Sequence, residues 1–491
     1  MPPGYAPRVL RWVVRGLLLV ALSFANLNDI WSPDVIPNAL FSWTVIREGN
    51  VDYDEFTDRL DVPPQERIGV LMDLGIPRDT YFFRACGPRT TRQTAFLVLT
   101  KSPRSPGGPP PPGPEDHVCS IFPPGIGILA LPVLAPFVLA RVPPLDITTL
   151  VRAGHLAAAI IEALATLLLW SVLRRFTSAR WALALALLYF LGTSVRTVAS
   201  QALWQHSGVH LAVAGALWLV MEERAITLWR DFLAGVALGL GTVVRQTTAI
   251  VGAGVALGRP RGLAALVVGA VLGVIPLLAY DAIAFGDPFE QGYGGKPFDT
   301  PLATGLYGLL LSPSRGLLVY EPYLVAALAA LVLAWRAGGG AVASRLRGLS
   351  IAWLATLALY ATYAEWWGGR VFGPRFLDDQ APILFVALAW GIGRGLLARR
   401  AAHLLFWVAA GWSLVLFQAA AFVYDQRWDT EPVNVNFAPQ RLFDWGDPQW
   451  LAVLRALPAG GARVLVALVL SAALVALLIR LEGVRMRASP A

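Results

Sequence analysis

Lysine is almost missing from this chain. Lys101 and Lys296 are the only two among 491 residues, so the formal net charge of +8 rests on arginine. Charged residues of all kinds make up only 15%, against about 25% in soluble domains, which excludes an ordinary water-soluble globule. Cysteine is as scarce: Cys86 and Cys119 are the whole complement, and no C-x-x-C is formed. There is no Walker phosphate loop and no G-x-S-x-G elbow, which removes the familiar nucleotide and serine-hydrolase motifs. The arginines sit at the ends of apolar segments and form no stripe, so they read as topology signals and exclude nucleic acid as a partner.

What the chain has in quantity is apolar sequence. It is 56% hydrophobic, with a mean hydropathy of +0.58, and reads as an all-α polytopic membrane protein. A first span covers 9–27 behind Arg8, Arg11 and Arg15, which place the N-terminus in the cytoplasm. No convincing A-x-A cleavage pattern follows, so it reads as a retained anchor. Further spans are expected near 150–173, 181–199, 205–221, 231–244, 246–258, 263–280, 317–335, 349–364, 379–397, 402–424 and 463–480.

Charge sorts the connections. On one side lie Arg174/Arg175/Arg180, Arg224/Arg230, Arg259/Arg261, Arg345/Arg347, Arg399/Arg400 and Arg485/Arg487. On the other lie Asp281, Asp287, Glu290 and Asp299, then Glu365, Asp378 and Asp379, then Asp425, Asp429, Glu431, Asp444 and Asp447. This alternation implies about 12 transmembrane helices with both termini cytoplasmic. The chain divides into 1–27 (N-terminus and first helix), 28–149 (large extracytoplasmic loop), 150–424 (transmembrane core), 425–462 (outer loop) and 463–491 (last helix and tail). The proline-rich stretch Ser102–Pro114 is a linker. Residues 121–140 are apolar but carry Pro123, Pro124, Pro132 and Pro136, which should break a spanning helix and leave a short interfacial or half-inserted one. Spans 231–244 and 246–258 are each short of the roughly 20 residues a crossing needs. Arg245 at their junction is either functional or snorkelling to headgroups. Gly252, Gly254 and Gly258 serve helix packing.

The organising stretch is Asn28–Phe56. Asp34 stands before Pro37, and Ile36, Leu40 and Trp43 recur at helical spacing, so a helix should lie with one face on the membrane surface. Asp34 either caps that helix or, as a carboxylate at the water–lipid boundary, takes part in chemistry. Cys86 and Cys119 are either paired, as an extracytoplasmic site would allow, or two free thiols. His206 and His210 are four apart but lack an evident third metal ligand, so His206 is expected to hydrogen-bond a partner. Arg315 lies in a turn, and Glu365, Arg370 and Arg375 in EWWGGRVFGPRFLDD. Arginines converging on one boundary suit a phosphate ligand, because the guanidinium fork grips two oxygens. Trp366, Trp367 and Phe372 are either sugar-stacking surfaces or an interfacial belt.

The order of motifs carries a resemblance. An acid follows the first span, then REGNVDYDEF, IFPPG, ALWQH, GLGTVVRQTTA, FGDPFEQGY, SPSRGLLVYEP and WWGGRVFGPRFL. Over about residues 9–400 this resembles the bacterial GT-C membrane glycosyltransferases of the RgtA/B/C/D-like and protein O-mannosyltransferase-like group. The resemblance implies a multi-pass enzyme of the plasma (inner) membrane that takes a sugar from a polyprenyl-phosphate donor. The acceptor, a glycan, lipid or protein, would react on the extracytoplasmic face in cell-envelope glycan biosynthesis. Asp34 best matches the catalytic first-loop aspartate, with Asp29 in reserve. Many relatives carry Asp-Glu there, whereas Val35 follows Asp34, so the second acid is unassigned, Asp54 and Glu55 being candidates. Arg245, Arg375 and Arg315 are the donor-phosphate candidates, and His206, Glu365, Trp367 and Arg370 the substrate-binding ones. No cofactor is assigned; a divalent metal is left open and no metal ligands are named. The alternative function is a transporter or flippase of lipid-linked sugars.

Overall fold

The computed structural model describes residues 5–57, 75–87, 112–113, 116–222, 227–293 and 297–488. Arg224 and, apart from residues 112–113, the proline-rich linker lie outside them. About 70% of the chain is helical. Among the described residues five helical stretches are long and apolar enough to cross a membrane: Ile147–Leu173, Pro260–Phe285, Ala341–Thr362, Arg400–Val423 and Gln449–Gly483. Apolar side chains of the last stretch and of Pro260–Phe285 face outward along much of their length. That is the surface a membrane-embedded protein presents to lipid.

Small residues set the closest helix contacts. The helix Leu228–Val244 runs against Leu263–Phe285 with Gly235 facing the Leu266 carbonyl and Gly269 facing that of Phe232. A Cβ at either glycine would fall 2.0 Å from that oxygen, so only glycine permits this approach. Gly254 and Gly258, read from sequence as packing residues, lie against Gly348 and Arg345 of the helix Ala341–Thr362.

Connections that share a charge sign meet at the same end of the helical body. Arg15 and Arg174 both pair with the buried Glu482, Arg174 at 3.0 Å. Arg175 donates to the Met221 carbonyl at 3.1 Å, Arg345 donates to the Glu222 carbonyl, and Arg259 pairs with Asp231. At the opposite end Arg463 ties the Leu27 and Phe422 carbonyls together at 2.8 Å each.

The large loop after the first helix is built more densely than its sequence suggests. The helix Val35–Trp43 is buried along its entire length, so it does not lie on a membrane surface with one face free. Its second face packs under the helix Gly125–Leu139, where Gly127 meets the Phe41 ring. The prolines of that second helix do not break it: Pro132 and Pro136 lie inside a continuous run. Its 15 residues span about 22 Å at 1.5 Å per residue, less than the roughly 30 Å of bilayer hydrocarbon. A small antiparallel strand pair, Phe83–Cys86 with His117–Ser120, departs from the all-α expectation. The disulfide Cys86–Cys119 closes it, with a Cα–Cα distance of 5.7 Å, which settles the choice between bridge and free thiols. The helix Leu302–Leu311 was also not anticipated.

Candidate active site

Asp34 heads the buried helix Val35–Trp43 but does not cap it: its side chain makes no capping hydrogen bond. The carboxylate turns instead towards two groups from distant parts of the chain. Tyr81 Oη donates to Asp34 Oδ1, and Arg375 Nη1 lies 3.8 Å from Asp34 Oδ2. The Asp34 side chain retains 23% exposure, enough for a hydroxyl to reach it. Burial, and then the neighbouring Asp34 charge, push the Tyr81 phenol well above its usual pKa, so Tyr81 is fixed as a donor and Asp34 as an acceptor.

Local backbone explains Arg375. Gly373 has φ +77, a left-handed turn open to glycine at little cost, and Pro374 then leads into the short helix Arg375–Asp378. That turn aims Arg375 back at Asp34. The guanidinium carbons of Arg245 and Arg375 lie 5.0 and 5.6 Å from the centroid of the Phe376 ring, which itself stacks on Tyr360 at 4.6 Å. Arg245 is delivered by the end of the helix Leu228–Val244. The helix Gly125–Leu139 abuts that end: a Cβ on Gly125 would come within 2.4 Å of the Val244 backbone nitrogen.

Arg245 is not bare. Its Nη1 pairs with Asp379 Oδ2 at 3.1 Å, while His206 Nδ1 holds Asp379 Oδ1 at 2.7 Å. His206 is buried and meets Asp379, so it acts from beneath the site and orients the carboxylate that orients Arg245. Deeper still, His210 Nδ1 contacts Glu162 Oε2 at 2.9 Å, Tyr189 donates to Glu162 Oε1 at 3.0 Å, and His210 Nε2 donates to the Asp378 carbonyl at 2.9 Å.

Several sequence-derived candidates are placed elsewhere. Arg315 is 1% exposed and spends its donors inside the protein: on Asp429 and Gln449 at 2.7 Å each, and on the carbonyls of Ser314, Trp367 and Gly369. It staples three connections together, and with its donors engaged and water excluded it is corrected from phosphate ligand to structural hub. Asp29 is 64% exposed and faces Arg152 at 3.8 Å, apart from the partners of Asp34. Trp366, Trp367 and Phe372 are buried, and Trp367 donates to Asn436 at 3.1 Å. They are core residues, neither sugar platforms nor an interfacial belt: the 425–449 connection folds over the two tryptophans, and Phe372 packs on Tyr320, Phe417 and Tyr424. Arg370 is half-buried and acts electrostatically on Tyr81; Glu365 is half-buried beside Tyr363. Asp54 and Glu55 lie on the loop below the strand pair: Asp54 accepts from Val118 N and Glu55 from Thr44.

Tyr81 was not singled out from sequence, and nothing in its neighbours marks it. Glu162 could have been: it is a lone carboxylate within an apolar span, a pattern that signals function or a buried partner. Among the described residues, a three-ligand group with metal-like spacing occurs at Asp52, Asp54 and His117, not around Asp34. No family model matches this chain, and neither a curated protein nor a solved structure is significantly similar to it.

Proposed function

We propose that the protein is a GT-C-type integral-membrane glycosyltransferase with about twelve spans. In this reading both termini are cytoplasmic, and Asp34 accepts the proton of an acceptor hydroxyl while a polyprenyl-phosphate leaves the donor sugar. The observation that carries it is the Asp34–Tyr81–Arg375 group. A partly exposed carboxylate is held by a phenol on one oxygen and faced by a guanidinium on the other. Arg375 Nε is buried without a hydrogen-bond partner, and an anionic phosphate oxygen would satisfy it. Arg245, across the Phe376 ring, adds a second fixed positive charge for the phosphate that develops in the transition state. General-base assistance of this kind is worth roughly 10²–10⁴-fold. The plasma membrane is the proposed location, and the glycan, lipid or protein acceptor approaches from the extracytoplasmic face.

The reading is tested by incubating purified protein with labelled polyprenyl-phosphate sugars and a membrane extract. Label appearing in an acceptor supports the reading; its absence across the panel, in protein that binds the donors, overturns it.

One observation favours transport of lipid-linked sugars instead. The Glu162–His210 pair is buried within helices, and intramembrane carboxylate–histidine groups commonly serve proton-coupled carriers. Proton-dependent flux in proteoliposomes without product formation would select that reading.

A further inference from the structure

Asp52, Asp54 and His117 each present one ligand atom, and the three atoms lie within 4.8 Å of one another. They come from two segments held together by other bonds. Tyr53 N donates to the Val118 carbonyl at 2.7 Å, and Val118 N donates to Asp54 Oδ1 at 2.8 Å. The strand that begins at His117 is paired so that His117 stands opposite Cys86, and the Cys86–Cys119 disulfide locks that pairing. Asp54 Oδ2 thereby meets His117 Nδ1 at 2.6 Å.

The amide next to these carboxylates leaves room for a cation. Asn50 Nδ2 contacts Asp52 Oδ1 at 3.3 Å, while Oδ1 of the same amide is wholly buried and has no hydrogen-bond partner. A buried acceptor oxygen is costly unless a donor or a cation satisfies it. Arg78 is near, at 3.5 Å from Asp54 Oδ1, but its guanidinium also reaches the Asp116 carbonyl. One imidazole nitrogen with carboxylate oxygens is a donor set suited to zinc. With the His117 side chain 60% exposed, water can complete the coordination.

We propose that Asp52, Asp54 and His117 bind one Zn²⁺ ion, and that the ion staples the 52–57 loop to the disulfide-closed strand pair. Zinc takes the place of the proton between His117 Nδ1 and Asp54 Oδ2. Affinity therefore falls as pH is lowered, because an imidazole binds metal only in its deprotonated form. This inference does not depend on the glycosyltransferase reading.

The test uses the full-length protein in detergent, stripped with chelator and titrated with Zn²⁺ alone, with bound metal counted by elemental analysis and affinity measured by calorimetry. The wild type should bind one ion per chain, more weakly at acid pH. Asp54→Asn and His117→Gln should each weaken binding by at least about 10-fold to 100-fold, the range seen even for loss of outer-shell partners. Asp34→Asn should bind zinc as the wild type does. Because His117 is largely exposed, His117→Gln should keep the wild-type unfolding profile without metal at mildly alkaline pH and lose only the zinc-induced rise in Tm. No zinc on the wild type, equal affinity in Asp54→Asn and His117→Gln, or loss of binding in Asp34→Asn would each overturn the assignment.

Discussion

Tyr81 donates its hydroxyl to Asp34 Oδ1, and this bond joins the head of the helix Val35–Trp43 to the segment that leads into the strand Phe83–Cys86. Removing it frees a carboxylate oxygen without removing the carboxylate. Hydrogen bonds to charged groups contribute about 1.5–3 kcal/mol, so Tyr81→Phe should slow transfer by roughly 10-fold to 100-fold. Donor affinity should stay near wild type. Single-turnover kinetics beside a donor-binding isotherm would separate the two, and an unchanged turnover rate would remove Tyr81 from the site.

Arg315 should matter for folding and little for substrate. Breaking one partner of a buried charged network costs about 3–5 kcal/mol, and Arg315→Ala leaves Asp429 and Gln449 without their shared cation. Thermal unfolding in detergent should show a large fall in Tm. Whatever folded protein remains should bind donor with wild-type affinity. A selective loss of donor binding at unchanged Tm would restore Arg315 to the phosphate site.

The disulfide should hold the strand pair and, through it, Tyr81. Loss of a native bridge typically costs about 2–4 kcal/mol. In Cys86→Ser/Cys119→Ser that cost should be local, read as faster hydrogen exchange in Phe83–Cys86 and His117–Ser120 with the helical body unchanged. Transfer should fall in step with Tyr81→Phe. Unaltered exchange in both strands would show that the bridge constrains nothing there.

The metal-free strand pair should respond to pH through His117. The Asp54 carboxylate beside it raises the His117 pKa above its ordinary value, so the protonated form favours the folded arrangement. That contribution is complete below the unfolded value of about 6.5 and is lost as pH rises through the folded one. In chelator, protection of His117–Ser120 should therefore decrease from mildly acid to mildly alkaline pH, by a modest amount because the imidazole is largely in solvent. His117→Gln should flatten the profile. A rise in protection with pH would contradict the pairing.

How much of this was legible in the sequence depends on whether a signal was local. The arginine-bearing connections could be picked out from charge alone, and Arg174, Arg175, Arg259 and Arg345 find their partners on other parts of the chain at one end of the helical body. Gly373-Pro374 announced the turn that aims Arg375, since both residues act on their own backbone. Arg315 looked equally available from its turn, yet its donors are taken by Asp429 and Gln449, more than a hundred residues away, and sequence has no local mark for that. Trp366 and Trp367 failed for the same reason: an aromatic pair at a span's end reads as interfacial until another connection covers it. The burial of Val35–Trp43 was missed because the helix Gly125–Leu139, discounted for its prolines, supplies its second packing face. Asp379 was visible only as one acid among many, and its role emerges from His206 and Arg245 closing on it.

The central claim is that Asp34 is the proton acceptor in sugar transfer, and one comparison tests it most directly. Wild type and Asp34→Asn would be assayed side by side with the same polyprenyl-phosphate sugar and acceptor extract, with donor binding measured on both. The variant should bind donor as the wild type does and transfer at least about 10²-fold more slowly. Equal transfer by both proteins would contradict it.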